Sequence, residues 1–320
     1  MHSFKIFSGS PRSVSGRYFN IRTLRSAAWI VFRTLLIIGL SFMVLFPLFT
    51  KIARSFMTWE DMTDPMVYYI PRNFTLENFE YTWSALHYPR LLLQSTAISL
   101  LVAVLQTAAC TSIAYGLARF KFRGSKLLFA LVMVTFLVPP QAILMPLYLK
   151  FRYFNPLQLI IGQGLMSGVS LLDTLWPMVT LSLTGLAFKS GLYIYLLRQY
   201  FTNLPMALDE AAYIDGCGNL RIFTKIMLPN ALPMIATCFL FSFVWQWNDY
   251  NYTSMLASNL PTFPMAITRL QQLLESAKAT ALVDTTRGPA FLLMVIPLIV
   301  LYLFTQRTFV ESVTRSGIVG

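Results

Sequence analysis

A stretch between two apolar runs, Asn203 to Pro233, carries the residues whose types and spacing most suggest chemistry. Carboxylates cluster in its first half and two glycines mark its middle: Asp209, Glu210, Asp215, Gly216 and Gly218. Carboxylates beside apolar side chains suit binding to a protein partner, because exposed apolar groups need a partner to cover them. The stretch therefore predicts a docking element. A hairpin lying on the membrane surface is the disfavoured alternative, because its acids would face an anionic leaflet.

The local pattern of this stretch predicts two short helices joined by a tight turn. Pro205–Ile214 has a proline near its start, where a helix tolerates one, and the glycines supply the turn. Asn219 can cap a second helix that runs to about Met227. We expect Pro229 and Pro233 to end this second helix and lead into the next apolar run. A helix laid into a groove of another subunit can transmit rigid-body movement.

A second set of candidate residues lies inside the apolar runs: Lys189, Tyr193, Gln246, Asn248 and Asp249. Ionisable groups at membrane depth are costly, so they usually face the interior of a helix bundle or water. Aromatic rings stack on sugars, and amides or carboxylates bind sugar hydroxyls, so this set is a candidate substrate path. For Lys189, contact with a polar or anionic solute and pairing with a carboxylate of a partner subunit both remain open. Asn248 and Asp249 suit a position near the external interface equally well.

The sequence shows no catalytic or metal-binding constellation. It has no Gly-rich loop followed by Lys-Ser/Thr, so ATP must be bound by a partner, and we expect the chain itself to hold no cofactor. It has no HExxH motif and no Ser/His/Asp set. The cysteines Cys110, Cys217 and Cys238 are far apart in sequence, and the histidines His2 and His87 stand alone. These features argue against an enzyme and against a metal site.

The elements that position these residues are apolar runs of membrane-spanning length. A helix needs about 20 mostly apolar residues to cross the hydrocarbon core. Only 12% of the chain is charged, against about 25% in soluble domains. The composition therefore predicts an all-α membrane protein. Six runs qualify as transmembrane helices: Ala28–Phe49, Leu91–Ala118, Leu127–Leu149, Leu175–Leu197, Ala231–Thr253 and Pro289–Thr305.

Basic residues give the orientation of these helices. The short turn Arg119–Lys126 holds four basic residues and no acid, which is typical of a cytoplasmic segment. With six crossings, both termini are then cytoplasmic. The expected organisation is an N-terminal tail at 1–27, a transmembrane domain at 28–306 with a cytoplasmic loop at 203–230, and a C-terminal tail at 307–320. The net charge of +12 fits contact with anionic membrane lipid better than contact with nucleic acid.

Prolines and glycines predict departures from straight helices. Pro139, Pro140 and Pro146 lie in the third run and should bend or break it, since proline removes a backbone donor. Such a break is either a kink tolerated among packed neighbours or an irregular segment near a translocation path. The segment Phe151–Asp173 is too apolar for a free loop and contains several glycines. We expect it to form a short interfacial or re-entrant element on the external side.

The cytoplasmic loop also contains a spaced motif. Its fixed positions, separated by three, nine and one residues, are Glu210-Ala211-Ala212, Gly216, Ile226 and Leu228-Pro229. This spacing resembles the EAA signature of permease subunits of bacterial ABC importers. Three further segments are similar to the carbohydrate branch of that family, close to its smaller maltose-type permease subunit: LLRQYFTNLPMALDEAAYIDG, WQWNDY (Trp245–Tyr250) and the C-terminal FVESVTRSGIVG.

The resemblance implies a type I ABC importer permease fold of six helices in the bacterial inner membrane. It implies a second homologous permease subunit, a cytoplasmic ATPase dimer and an extracytoplasmic solute-binding protein as partners. It also implies import of a sugar or oligosaccharide by alternating access, with the loop docked in a cleft of the ATPase. Within the coupling set, Glu210 makes the polar contact and Gly216 permits the turn. That set comprises Glu210, Ala211, Ala212, Asp215, Gly216, Ile226, Leu228 and Pro229.

Two other functions stand as alternatives. A secondary transporter driven by an ion gradient predicts ionisable pairs in several spans and inverted repeats, and the sequence shows neither. A membrane-embedded enzyme needs a catalytic set, and none is visible. Dependence of uptake on a co-expressed ATPase separates the importer from the ion-driven transporter.

Overall fold

The computed structural model describes residues 21–155 and 168–317, and within them all named elements of regular structure are helical. A π-helical turn, Phe223–Met227, lies between the helices Asn219–Ile222 and Leu228–Trp247. The helices are α1 Ile21–Ser55, α2 Trp59–Thr63, α3 Glu77–Ala85, α4 Tyr88–Arg119, α5 Ser125–Leu137, α6 Pro140–Arg152, α7 Trp176–Leu183, α8 Ser190–Asn203, α9 Ala207–Ile214, α10 Asn219–Ile222, α11 Leu228–Trp247, α12 Asn251–Leu256, α13 Phe263–Ser276 and α14 Thr280–Gly317.

Within the described residues, four helices are long and apolar enough to cross a membrane. They correspond to the first, second, fifth and sixth predicted spans: Ala28–Ser55, Tyr88–Arg119, Asn219–Trp247 and Thr280–Gln306. The pair α5 and α6 makes a fifth span if the two bent halves are counted together. The membrane-spanning, helical character predicted from composition is therefore confirmed, while the number six stays a prediction.

Two of the predicted spans are broken. Helices α5 and α6 meet at an angle of 101°, and the break falls at Pro139 and Pro140, as the prolines predicted. The fourth predicted span, Leu175–Leu197, is not one helix but the separate helices α7 and α8. The backbone between them passes through positive φ at Gly185 (70°) and Lys189 (66°), which an α-helix cannot accommodate.

Helix α4 forms the centre of the bundle. It packs against α7, α8 and α11, and small side chains at its contact face, Ala103, Cys110 and Ala114, are fully buried. Small residues let neighbouring helices approach closely where lipid provides no hydrophobic driving force. The largest buried cluster lies at one end of this bundle and also includes residues of α9, α10 and the π turn. It therefore joins the membrane helices to the loop at 203–230.

Helix α1 lies at the edge of the bundle and packs along α14. Gly288 permits this approach, because a Cβ atom there would lie 2.4 Å from the Ser55 hydroxyl oxygen. Most of the apolar side chains described along α1 remain exposed, as expected for a face covered by lipid or by another subunit. Helix α1 begins at Ile21 and α14 continues to Gly317, so both helices extend beyond the predicted spans Ala28–Phe49 and Pro289–Thr305. The boundaries of the two tails stay predictions.

Most of the predicted external element at Phe151–Asp173 lies outside the described residues, which omit 156–167. The described ends of this segment approach each other. Phe154 and Val169 form an isolated antiparallel bridge, with N–H···O distances of 3.1 and 2.9 Å.

Candidate functional site

The loop at 203–230 forms a rigid hairpin of α9, a glycine turn and α10. The turn closes α9 with two backbone bonds, from the Cys217 N–H to the Ala212 carbonyl (2.9 Å) and from the Gly216 N–H to the Tyr213 carbonyl (3.0 Å). Gly216 has φ of 74°, and this pair of bonds with a left-handed glycine is the Schellman ending of a helix. The prediction of a helix, a glycine turn and a second helix is confirmed.

The two faces of the hairpin differ in burial. Ala212, Ile222 and Met227 are buried in the cluster that joins the hairpin to α4, α8 and α11. The opposite face carries large exposed apolar side chains, with Ile214 87% and Leu220 76% exposed. Next to them lie four exposed members of the predicted coupling set: Glu210, Ala211, Asp215 and Gly216. An exposed apolar surface rimmed by carboxylates is typical of a protein-docking site.

An ion pair fixes α9 to the end of α4. The Arg119 guanidinium lies 3.2 Å from the Asp209 carboxylate, and their side chains are only 5% and 13% exposed. The other terminal nitrogen of Arg119 donates to the Leu204 carbonyl at 2.9 Å. The hairpin is thus attached at its first turn to the central helix of the bundle, by groups that are largely removed from water.

The second half of the hairpin differs from its prediction. Helix α10, the π turn and α11 are continuous, so Pro229 and Pro233 do not end the helix. In the π turn the Leu228 N–H reaches the Phe223 carbonyl, one residue further back than in an α-helix, which makes room for a proline at the next position. The Asn230 side-chain amide then donates to the Ile226 carbonyl at 2.7 Å. Of the motif residues, Ile226 and Leu228 are half-buried and Pro229 is exposed.

A cavity of about 470 Å³ lies between the two broken spans. Its walls come from the α5–α6 bend and from the loop that separates α7 from α8, and Lys189 lies on that loop. The Lys189 ammonium group lies between three aromatic rings, at 4.9 Å from the Phe188 centroid, 5.0 Å from Trp245 and 5.6 Å from Phe136. Lys189 thus belongs to the lining of this cavity, and its contact with a solute stays a prediction.

Gln106 of α4 holds this loop in place. Its amide donates to the Phe188 carbonyl and to the Ser190 hydroxyl, both at 2.8 Å. Its amide oxygen accepts a bond from the Ser242 hydroxyl of α11 at 2.5 Å. Non-helical backbone at membrane depth is tolerated only where other groups satisfy its polar atoms, and Gln106 supplies that function here.

The other predicted substrate-path residues are dispersed. Gln246 and Asp249 line a smaller cavity of about 40 Å³, where Asp249 accepts bonds from the Thr253 backbone and hydroxyl, both at 2.8 Å. Tyr193 is fully buried in the cluster between α4, α8 and α11. Asn248 donates to the Val244 carbonyl of its own helix at 2.7 Å and is exposed. No observation tests the role of these four side chains in transport.

The sequence did not predict the structural roles of Arg119 and Gln106. In the sequence, Arg119 indicates only a cytoplasmic turn, and the second carboxylate beside Glu210, Asp209, is the one signal of a cation partner. Gln106 is a single polar residue in an apolar run, and such a residue needs a hydrogen-bond partner in the bundle. In the described part of the chain, no three His, Cys, Asp or Glu side chains are grouped to hold a metal ion.

Comparison with known proteins places this geometry in context. A family model described as "Binding-protein-dependent transport system inner membrane component" matches residues 108–314. The alpha-glucoside transport system permease protein AglG of Rhizobium meliloti is 33% identical over 78% of this chain and 62% of the relative. The maltodextrin transport system permease protein MdxG of Bacillus subtilis is 27% identical over 93% of this chain and 98% of the relative.

A solved structure shares the fold. A crystal structure of a bacterial ABC transporter involved in the import of the acidic polysaccharide alginate contains a chain that superposes with a TM-score of 0.68 and 20% identity, covering 89% of this chain and 98% of that one. The matched family range contains both the docking hairpin and the cavity between the broken spans. This chain belongs to the family of inner membrane components of binding-protein-dependent transport systems.

Proposed function

We propose that this chain is a permease subunit of an ATP-driven importer and that it translocates a sugar or oligosaccharide by alternating access. Membership of the binding-protein-dependent transport family supports the importer. Relatives named for alpha-glucoside and maltodextrin transport support a carbohydrate solute. The chain itself supplies the path and the mechanical link, while a separate ATPase supplies the energy.

The observation that carries this proposal is the two-faced hairpin. Its outer face, with Glu210, Ile214 and Leu220, is exposed and suits a groove in a partner. Its inner face is held to α4 by the Arg119–Asp209 pair and by buried apolar contacts. A force applied to the outer face must therefore move the ends of α4 and α11, because packed helices shift as units rather than deform continuously.

The proposed partners supply the functions that this chain lacks. A cytoplasmic ATPase dimer binds the hairpin, a second homologous permease subunit completes the path, and a solute-binding protein delivers the solute on the external side. Membrane lipid covers the exposed apolar sides of helices such as α1.

The same proposal includes six membrane crossings with both termini in the cytoplasm. Helices α7 and α8 contain 8 and 14 residues, which at about 1.5 Å per residue give roughly 33 Å of helix. That length is sufficient for one broken span across a hydrocarbon core of about 30 Å. The pair α5 and α6 forms the preceding broken span, and the turn Arg119–Lys126 then lies in the cytoplasm.

Cysteine crosslinking in membranes tests the proposal. Ile214→Cys, on the exposed face of α9, should form a crosslink to an ATPase subunit. Met66→Cys is the matched control, because that side chain is 84% exposed and lies in the external loop before α3. Crosslinking of the ATPase to Met66→Cys but not to Ile214→Cys would place the hairpin on the wrong side and refute the docking role.

A transport assay in proteoliposomes tests the coupling step. Glu210→Lys should reduce solute uptake strongly while the assembled complex still inserts and hydrolyses ATP, since the change alters only an exposed contact. Uptake that continues without the ATPase, driven by an ion gradient, would favour the secondary transporter instead.

A further inference from the structure

The cavity between the broken spans has an unbalanced charge. Two cations, Lys189 and Lys150, belong to its lining, and the lining contains no Asp or Glu among the described residues. The sequence of residues 156–167, which the structure does not describe, contains no acidic residue either. Any counter-ion for these lysines must therefore come from elsewhere in the chain, from a partner or from a solute.

Two other carboxylates of the described chain, Asp249 and Asp173, form no ion pair with either lysine. Asp249 lies in the adjoining smaller cavity and accepts three bonds from Tyr252 and Thr253. Asp173 accepts bonds from the Ser258 hydroxyl and the Asn259 N–H at the external loop. Lys189 forms no ion pair with any described residue.

The aromatic rings around Lys189 stabilise its charge without cancelling it. Ring faces attract a cation through their quadrupole, but they carry no net charge, so the cavity stays positive. Among the described residues, no acceptor forms a hydrogen bond with the Lys189 ammonium group, so its N–H donors remain available to a ligand. A charge at membrane depth without a counter-ion is costly and usually marks a functional site.

The shape of the cavity favours a small solute as the source of the counter-ion. Its volume of about 470 Å³ lies within the range of about 300–1,000 Å³ that is typical of small-molecule sites. It lies where two broken helices face each other, and broken helices line the substrate sites of many transporters. Gly191 lets α8 lie close to α5, since a Cβ atom there would meet the Val132 carbonyl oxygen at 2.9 Å.

We propose that this cavity binds the carboxylate of an acidic sugar, such as a uronic-acid residue of an oligosaccharide, on the Lys189 ammonium group. Lys150 attracts the same anion from the external end of α6. The proposal rests on the carbohydrate importer proposed above and narrows its solute to an anionic one. A charge-assisted bond from Lys189 to a carboxylate is stronger than a bond to a neutral hydroxyl, so the cavity discriminates by charge.

Trp245 makes the test site-specific, because its ring lies 5.0 Å from the Lys189 ammonium nitrogen. The assembled importer in nanodiscs is titrated with sodium digalacturonate and, separately, with maltose as a neutral disaccharide. Tryptophan emission is recorded for the parent and for Trp245→Phe, and the difference isolates the cavity signal. Digalacturonate should give a saturable change that weakens as NaCl is raised, and maltose should give none at the same concentrations.

Substitutions of the lysines complete the test. Lys189→Gln should raise the apparent Kd for digalacturonate at least tenfold, Lys189→Arg should retain binding, and Lys150→Gln should have a smaller effect. Equal responses to the two sugars, no response to digalacturonate in the parent, or unchanged binding in Lys189→Gln would each overturn the proposal. Dissociation of the two permease subunits in Lys189→Gln, without any digalacturonate signal in the parent, would identify a partner carboxylate as the counter-ion instead.

ATP-driven uptake, measured on the same preparations, separates this proposal from the importer itself. An importer that transports a neutral sugar with ATP, yet gives no digalacturonate signal, refutes the acidic-sugar site and leaves the proposed function standing.

Discussion

Removal of the Arg119–Asp209 ion pair should loosen α9 without unfolding the bundle. Arg119→Gln leaves the Asp209 carboxylate, 13% exposed, without its cation, and breaking a buried pair from one side costs about 3 kcal/mol or more. The Coulomb energy has a similar size, since unit charges about 4 Å apart attract by roughly 4 kcal/mol at an effective dielectric constant of about 20. At about 1.4 kcal/mol per tenfold change, α9 should open roughly 100-fold more often.

Hydrogen–deuterium exchange of the assembled importer measures this opening directly. The backbone amides of α9 report the local opening free energy, and the amides of α4 serve as an internal reference that should not change. Glu210→Gln is the matched control: it neutralises the neighbouring carboxylate, which is exposed, and should leave exchange in α9 at the parent rate. The control should still reduce uptake, because Glu210 faces the proposed ATPase.

The double variant Arg119→Gln/Asp209→Asn decides whether the two residues act as a pair. Their effects should not add, because the second substitution removes a carboxylate that the first has already left without a cation. Exchange in α9 within about threefold of the parent for Arg119→Gln, or additive effects in the double variant, would refute the reasoning.

Three other substitutions test the local geometry, each by the thermal unfolding midpoint of the purified importer. Gly216→Ala should destabilise the hairpin by about 1 kcal/mol through its positive φ alone, since a Cβ atom there meets nothing within 4 Å. Ala212→Phe should cost about 1–3 kcal/mol by overpacking a buried site, whereas Ala211→Phe on the exposed face should not lower the midpoint. Gln106→Leu should cost about 1–3 kcal/mol, because it removes the partner of a buried carbonyl and two hydroxyls, and an unchanged midpoint would show that the broken span does not depend on this residue.

The sequence alone determined the features that depend on nearby residues. Apolar runs predicted the membrane-spanning helices, because each residue contributes separately to the free energy of placing a helix in lipid. Pro139 and Pro140 gave the break between α5 and α6, since a proline removes a backbone bond within its own turn. Gly216 gave the turn of the hairpin, since glycine adopts positive φ without a steric cost.

Two predictions from local sequence, one from hydropathy and one from proline, were wrong about where helices end. The run Leu175–Leu197 is apolar enough to predict one helix, but its backbone passes through positive φ at Gly185 and Lys189, and a hydropathy average cannot register that change. Pro229 and Pro233 predicted a helix end, yet the π turn before them lets the helix continue.

Only the tertiary structure decided which distant residues meet. Arg119 and Asp209 are 90 positions apart in the sequence, and Gln106 lies 82 positions before the carbonyl that it satisfies. Lys189 acquires its aromatic neighbours from α5, from its own loop and from α11. Such contacts depend on how helices pack side by side, and no pattern along a single helix specifies its neighbours. The sequence therefore determined that a helical hairpin and a charged residue within an apolar run exist. The packing of the helices decided that Arg119 holds the hairpin and that three aromatic rings surround Lys189.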